Sequence, residues 1–189
     1  MKTREKIINA AVELFSEKGY HDTKMADITE KAGVAKGTAY YNFSSKAILF
    51  AEIIEEGIEM ILKNVKKNVQ KQTTSAEKLQ KLIECTINIY LKYDKLFLIL
   101  VNEINSSIDE EAKDHIFKAR EKYLNYVVNI LNLGIEKEEY KEEEKKIIAG
   151  TLIGAIDGGI ITYLHLNNED INKEELMELI LNFMQNGVI

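Results

Sequence analysis

The 189-residue sequence contains no proline, no tryptophan and a single cysteine. The lack of proline removes the strongest helix breaker, so an all-α fold is expected. One thiol, Cys85, cannot close an internal disulfide, and nothing in the cysteine usage points to an oxidising compartment. Basic residues are the minority, 25 against 31 acidic, for a net charge of −6. A protein that coats nucleic acid indiscriminately normally carries the opposite balance. The chain also lacks catalytic signatures. His21, His115 and His165 do not stand at metal-ligand spacing with one another or with Cys85. There is no glycine-rich phosphate loop, nucleophile elbow or Glu-x-x-His pair. Neither an enzyme nor a metal or cofactor site is expected.

What is present is a hydrophobic fraction of 46%, enough at this length to bury a real core. Apolar residues recur at helical spacing almost throughout. Ile7, Ile8, Ala11, Leu14 and Phe15 form a first stripe, and Gly19 stands where a helix would end. Short periodic segments span 25–32, stopped by Gly33, and 36–42. A long helix starts near Ser45. Capping boxes mark later starts at Thr74 with Glu77, Ser107 with Glu110 and Asn172 with Glu175. The helix opened at Ser107 is expected to end at Gly134. About nine helices and no strands are expected. Residues 147–166 are apolar enough to span a bilayer, but Asp157 sits near their middle, so a buried helix is expected. The default location is the cytoplasm.

The segment 25–46, MADITEKAGVAKGTAYYNFSSK, is the most informative. A short helix, a turn at Gly33 and a second short helix have the layout of a helix-turn-helix. Ile28, Ala32, Val34 and Ala39 would glue these helices to the first. Lys36, Gly37, Thr38, Tyr40, Tyr41 and Asn42 then lie along the start of the second helix. Lysine reaches phosphate or guanine, Thr and Tyr hydroxyls donate to phosphate, and Gly37 lets the backbone come close. Phe43 is expected in the core, whereas Tyr40 suits the core or the groove equally. Lys46 opposes the dipole at the start of a long helix, a position that gains most if an anion also binds there. An exposed lysine without a role is the alternative.

Ile8, Ala11, Leu14, Phe15, Gly19, Tyr20, Thr23, Ile28, Ala32, Gly33, Val34, Lys36, Gly37, Thr38, Tyr40, Phe43, Lys46 and Leu49 together resemble the DNA-binding domain of the tetracycline-repressor (TetR) family. The resemblance implies a dimeric, ligand-responsive DNA-binding regulator, most often a repressor. It implies a helix-turn-helix domain over 1–47 and a helical ligand-binding and dimerisation domain over 48–189. It places Lys36, Gly37, Thr38 and Tyr41 in the groove, and Thr23, Tyr40, Asn42 and Lys46 against phosphates. Some positions depart from the family pattern. Lys24 replaces a small hydroxyl residue and offers a further phosphate contact, while capping its helix poorly. Thr29 and Ala39 replace an alanine and a larger aliphatic, and Ala26 replaces a common arginine. Partners implied are a palindromic double-stranded operator, a small effector and a second copy of the chain, without a membrane. The rival reading is a helical small-molecule binder or adaptor that has lost DNA affinity.

In the body, Gly150, Gly154 and Gly158 recur every four residues along one apolar helix. Helical glycine costs about 1 kcal/mol relative to alanine, so three in register point to a closely approaching helix. A dimer interface of Gly150, Gly154, Gly158, Ile161, Leu176, Ile180 and Phe183 is expected; tight packing within one subunit is the alternative. Cys85, Ile89, Phe97, Tyr123, Tyr126 and Asp157 are pocket candidates that combine apolar walls with a few polar tips. They suit an apolar or amphipathic ligand. Asp157 must face water, pair across a dimer or meet the ligand. Charge divides along the chain. Residues 1–50 carry eight basic residues (Lys2, Arg4, Lys6, Lys18, Lys24, Lys31, Lys36, Lys46) and six acidic ones (Glu5, Glu13, Glu17, Asp22, Asp27, Glu30). The remainder holds 17 basic and 25 acidic residues, so the head is +2 and the body −8.

Overall fold

A computed structural model describes residues 2–103, 109–136, 144–166 and 172–187. Among the described residues there are nine helices and no strand. They are α1 (Thr3–Lys18), α2 (Met25–Ala32), α3 (Lys36–Asn42), α4 (Lys46–Val69), α5 (Ser75–Lys92), α6 (Asp94–Glu103), α7 (Glu110–Glu136), α8 (Lys145–His165) and α9 (Lys173–Gly187). Two of the expected capping boxes form reciprocally. The Thr74 amide donates to Glu77 Oε2 at 3.0 Å and the Glu77 amide to Thr74 Oγ1 at 3.1 Å. The Thr74 amide, together with the Thr73 hydroxyl and amide that donate to the same oxygen at 2.9 and 3.0 Å, holds the Glu77 carboxyl down at about 2. Asn172 and Glu175 exchange the same pair of bonds at 3.0 and 2.9 Å. Ser107 lies outside the described residues, and the start of α7 is capped by Asp109, which accepts from the Ala112 amide at 2.9 Å. Gly134 does not stop α7, which continues to Glu136.

The chain packs into two compact units, Met1–Gly57 with Tyr93–Ala119, and Ile58–Lys92 with Arg120–Ile189. This grouping differs from a division at residues 47 and 48. The apolar stripe of α4 runs unbroken past that point, and α6 packs on α1.

In the first unit Ile7, Ala11, Phe15, Ile28, Ala39, Phe43, Leu49 and Phe50 are fully or almost fully buried. The Phe15, Tyr20 and Phe50 rings meet pairwise at centroid distances of 5.1 to 5.7 Å. Arg4 ties α1 to α4 by ion pairs with Glu52 and Glu56, and its guanidinium lies 5.4 Å from the Phe43 ring centroid. His21 Nε2 meets the buried Glu103 carboxylate of α6 at 2.9 Å. Thr29 is accommodated because its hydroxyl donates to the Ala26 carbonyl at 2.8 Å.

In the second unit Leu82, Ile83 and Ile87 of α5, Val127 of α7, and Leu152 and Ile156 of α8 form the core. A polar knot crosses it. Arg120 Nη2 donates to Asp157 Oδ2 at 2.7 Å, and the Tyr123 and Thr86 hydroxyls lie 2.7 Å apart. Asp157 keeps its other oxygen, Oδ1, buried without a hydrogen-bond partner among the described residues. It pairs with an arginine of its own chain, 37 residues away, a contact that local sequence does not show. Burial pushes its carboxyl above the ordinary value, and the Arg120 charge partly counters this.

α8 is long and apolar enough to cross a membrane by length and composition, yet it is not a fully buried helix. Ala149, Leu152, Ile153, Ile156 and Ile160 face inward, while Ile147, Gly150, Gly154 and Gly158 are exposed. A Cβ on any of these three glycines would meet nothing within 4 Å, so intrachain packing does not explain them. The glycine that packs internally is Gly159, where a Cβ would stand 3.0 Å from Ile180 Cδ1. The expected interface is corrected accordingly. Leu176 and Ile180 are buried against α8 within one chain, because α9 turns this edge inward, whereas Leu179 and Phe183 point outward at 56% and 58% exposure. Ile161 is half-buried.

The Arg120–Asp157 pair yields a pH-dependent expectation. The native Asp157 carboxyl prefers its proton more than the unfolded one, so its contribution is most favourable at low pH and is lost as pH rises through the native value. Removing Arg120 enlarges that loss. Arg120→Met should cost roughly 2–3 kcal/mol at pH 8, discounted for the partial exposure of Arg120. Thermal unfolding should fall by about 4 to 12 °C at pH 8 and by clearly less at pH 5. An equal drop at both pH values would contradict the buried-charge account.

Candidate nucleic-acid interface

α2 ends at Gly33, whose φ of 65° and ψ of 39° are left-handed. Its amide bonds back to the Thr29 and Glu30 carbonyls, and the Val34 amide donates to Thr29 O at 3.0 Å. The chain thereby reverses in one residue and starts α3 from Ala35. On α3, Ala39 and the following Phe43, four residues apart, point into the core at 0% and 1% exposure. That fixes the opposite face outward, where Lys36, Gly37, Thr38, Tyr40 and Tyr41 are exposed. Tyr41 stands out at 91% exposure and Tyr40 at 43%. The Lys36 ammonium lies 5.9 Å from the Tyr40 ring centroid, so a cation and two phenols share this face. Tyr40 therefore belongs to the outer face rather than the core.

The remaining sequence candidates divide. Lys24 is exposed, and α2 is capped by Asp27, which reaches back to accept from the Lys24 amide at 3.2 Å. Asn42 is half-buried and gives one amide proton to the Thr38 carbonyl at 2.8 Å. Thr23 is fully buried, and its hydroxyl donates to Gly19 O at 2.8 Å. Lys46 turns inward. Its ammonium donates to Tyr20 O at 2.7 Å and Thr23 O at 3.0 Å, and sits 4.1 Å from the Tyr20 ring centroid. Burial lowers its pKa, with Glu103 and Asp22 pulling the other way. Burial, with smaller contributions from Glu103 and Asp109, pushes the Tyr20 phenol up to about 12. The side chains of Thr23 and Lys46 therefore hold the turn before α2, whereas those of Lys36, Thr38, Tyr40 and Tyr41 meet solvent. Sequence reasoning missed Arg4 and His21 as the residues that anchor this turn and α1. Their partners, Glu52, Glu56 and Glu103, lie far along the chain.

The pocket candidates divide as well. Cys85, Tyr123 and Asp157 gather about the Arg120 knot, with burial raising the Cys85 thiol and the Tyr123 phenol. Ile89 is half-buried in the same unit, whereas Phe97 is buried in the other. Tyr126 instead lines an open cleft between α4 and α7. Among the described residues no group of three or more His, Cys, Asp or Glu is arranged to hold a metal.

Comparison with known proteins agrees with this geometry. Residues 7–53 match the family model for bacterial regulatory proteins of the tetR family, and residues 72–159 match a tetracyclin repressor-like C-terminal domain. The fatty acid metabolism regulator protein of Bacillus subtilis is 27% identical over 183 residues, covering 96% of this chain and 93% of the relative. The transcriptional activator FasR of Mycolicibacterium smegmatis is 22% identical, covering 98% and 82%. The crystal structure of FadR from Bacillus subtilis in complex with stearoyl-CoA superimposes with a TM-score of 0.84 at 26% identity, covering 98% of this chain and 99% of that one. The chain belongs to the tetR family of DNA-binding, ligand-responsive transcriptional regulators.

Proposed function

We propose that the chain is a cytoplasmic, homodimeric repressor of genes for fatty-acyl metabolism, released from its operator by a long-chain acyl-coenzyme A. The observation that carries the ligand class is the end-to-end similarity to a fatty acid metabolism regulator, together with the stearoyl-CoA complex of a structural relative. The chain's own residues are compatible with it. The second unit combines an aliphatic interior with the Arg120, Asp157, Tyr123 and Thr86 knot, which offers polar contacts at a few points.

Reading of DNA is assigned to the outer face of α3. Lys36, Gly37 and Thr38 approach base edges, and Tyr41 and Tyr40 contact the groove wall and phosphate. Lys24 adds a phosphate contact from the start of α2. Thr23 and Lys46 serve this face by holding the turn, through backbone groups rather than free side chains. The outward strip of Ile147, Gly150, Gly154 and Gly158 on α8, with Leu179 and Phe183 on α9, is assigned to the second subunit. Exposed apolar area of this kind is costly unless covered. A dimer with two α3 helices about 34 Å apart fits a palindromic operator. Release then follows from population shift, because an acyl-CoA that favours a differently spaced state weakens DNA binding.

The function is tested by fluorescence anisotropy with duplex DNA from upstream of the chain's own gene. Palmitoyl-CoA should weaken binding, and a reporter behind that DNA should be silenced by the protein and relieved by fatty acid. Unchanged affinity with palmitoyl-CoA would reject the ligand class, and activation of the reporter would reject repression. The residue assignments separate by stability. Lys36→Ala and Tyr41→Ala should weaken DNA binding by about 1–3 kcal/mol each with unchanged melting temperature. Lys46→Met should lower melting temperature and DNA affinity together. A Lys46→Met protein of full stability with selectively lost DNA binding would restore Lys46 as a direct phosphate contact.

A further inference from the structure

The acidic body carries one local concentration of positive charge. Residues 60–76 contain Lys63, Lys66, Lys67 and Lys71 and no acid. Lys66 and Lys67 fall in the last turn of α4, where a cation meets the negative end of the helix dipole. The dipole does not account for Lys63, one turn earlier, or for Lys122 on a different helix. These residues instead share an open cleft of about 600 Å³ within the second unit. Glu59, Lys63 and Lys66 line it from α4 at spacings of four and three residues. Lys122, Tyr126 and Asn129 line it from α7 at the same helical period, with Asn125 beside them. Glu59 approaches Lys122 at only 3.6 Å with both side chains largely exposed, a weak pair that leaves the cleft net positive. The Lys66 ammonium lies 5.8 Å from the Tyr126 ring centroid, so aromatic face and cation adjoin. Three ammonium groups, one phenol ring and two carboxamides form a complementary set for a phosphorylated aromatic base. The ammoniums take phosphate oxygens, the ring stacks on the base, and the carboxamides meet its edge or the ribose.

We propose that the α4–α7 cleft seats the nucleotide end of the effector, with Lys63, Lys66 and Lys122 binding its phosphates and Tyr126 stacking on its base. The inference rests on the acyl-coenzyme A reading, and it names the part of the chain that distinguishes the thioester from the free acid. Coenzyme A brings a 3′-phosphate and a diphosphate, about four negative charges in all, against an otherwise acidic body. A free fatty acid brings one carboxylate and has no use for the cleft. The cleft lysines are therefore specificity residues for the activated form of the ligand.

The test compares two ligands on two proteins by calorimetry, at fixed low salt. Lys63→Gln, Lys66→Gln and Lys122→Gln are combined in one variant. Lys78→Gln, Lys81→Gln and Lys145→Gln form a control with the same change in net charge. The cleft variant should bind palmitoyl-CoA at least about tenfold more weakly and bind palmitate unchanged. The control should lose no more than about twofold. Coenzyme A and ATP should both compete at lower concentration than inorganic phosphate, which separates a nucleotide seat from a general anion site. Equal palmitoyl-CoA affinity for wild type and cleft variant would overturn the cleft assignment and leave the acyl-coenzyme A reading intact. Equal competition by ATP and phosphate would overturn the nucleotide assignment. A wild-type protein that binds neither palmitoyl-CoA nor coenzyme A would remove both.

Discussion

The turn between α1 and α2 ends in carbonyl groups that neither helix can satisfy, and the Lys46 ammonium at the start of α4 satisfies them. Partial burial of a cation is unfavourable unless it is well partnered. Here Tyr20 O, Thr23 O and the Tyr20 ring supply the partners, and Glu103 and Asp22 supply opposite charge. The same turn is held to α6 by His21 and Glu103. α2 starts immediately after it, and Gly33 fixes how α3 leaves α2. The exposed direction of Lys36 and Tyr41 therefore depends on a contact that spans them, from Tyr20 and Thr23 on one side to Lys46 on the other. A displacement of the first turn of α4 must break these bonds or carry the turn with it.

The charge distribution follows the same economy. Of the eight basic residues in the first fifty, Arg4, Lys31 and Lys46 are engaged internally, with Glu52 and Glu56, with Glu13 and Glu17, and with the turn carbonyls. The +2 of the head thus overstates the charge free to attract a duplex. The acidic remainder keeps other surfaces off DNA. The basic cleft on α4 and α7 stands out against that background.

Much of the first unit was legible because its signals are local. The αL glycine and the four-residue spacing of Ala39 and Phe43 act within one or two turns of chain, as do the capping boxes at Thr74 and Asn172 in the second unit. The same locality explains what was not legible. Lys46 has the position of a phosphate-binding lysine, and only the three-dimensional path of the preceding turn shows its carbonyl partners. Asp157 looked unpartnered because Arg120 is 37 residues away. Leu176 and Ile180 fit an interface stripe as well as a core stripe. A one-residue rotation of α9 separates them from Leu179 and Phe183, and Gly159 rather than its three neighbours in register sets that rotation. α6 carries no strong cap signal, since it follows α5 after the single residue Tyr93. The separation of Phe97 from the other pocket candidates follows from that break.

The account stands on one coupling, between acyl ligand in the body and DNA at α3. Linkage requires that coupling to be reciprocal. The most direct measurement is the dissociation constant of palmitoyl-CoA with the protein alone and with the protein saturated by operator DNA. The account predicts weaker ligand binding on the DNA complex, by the same factor by which palmitoyl-CoA weakens operator binding. Equal ligand affinity in the two states would contradict it.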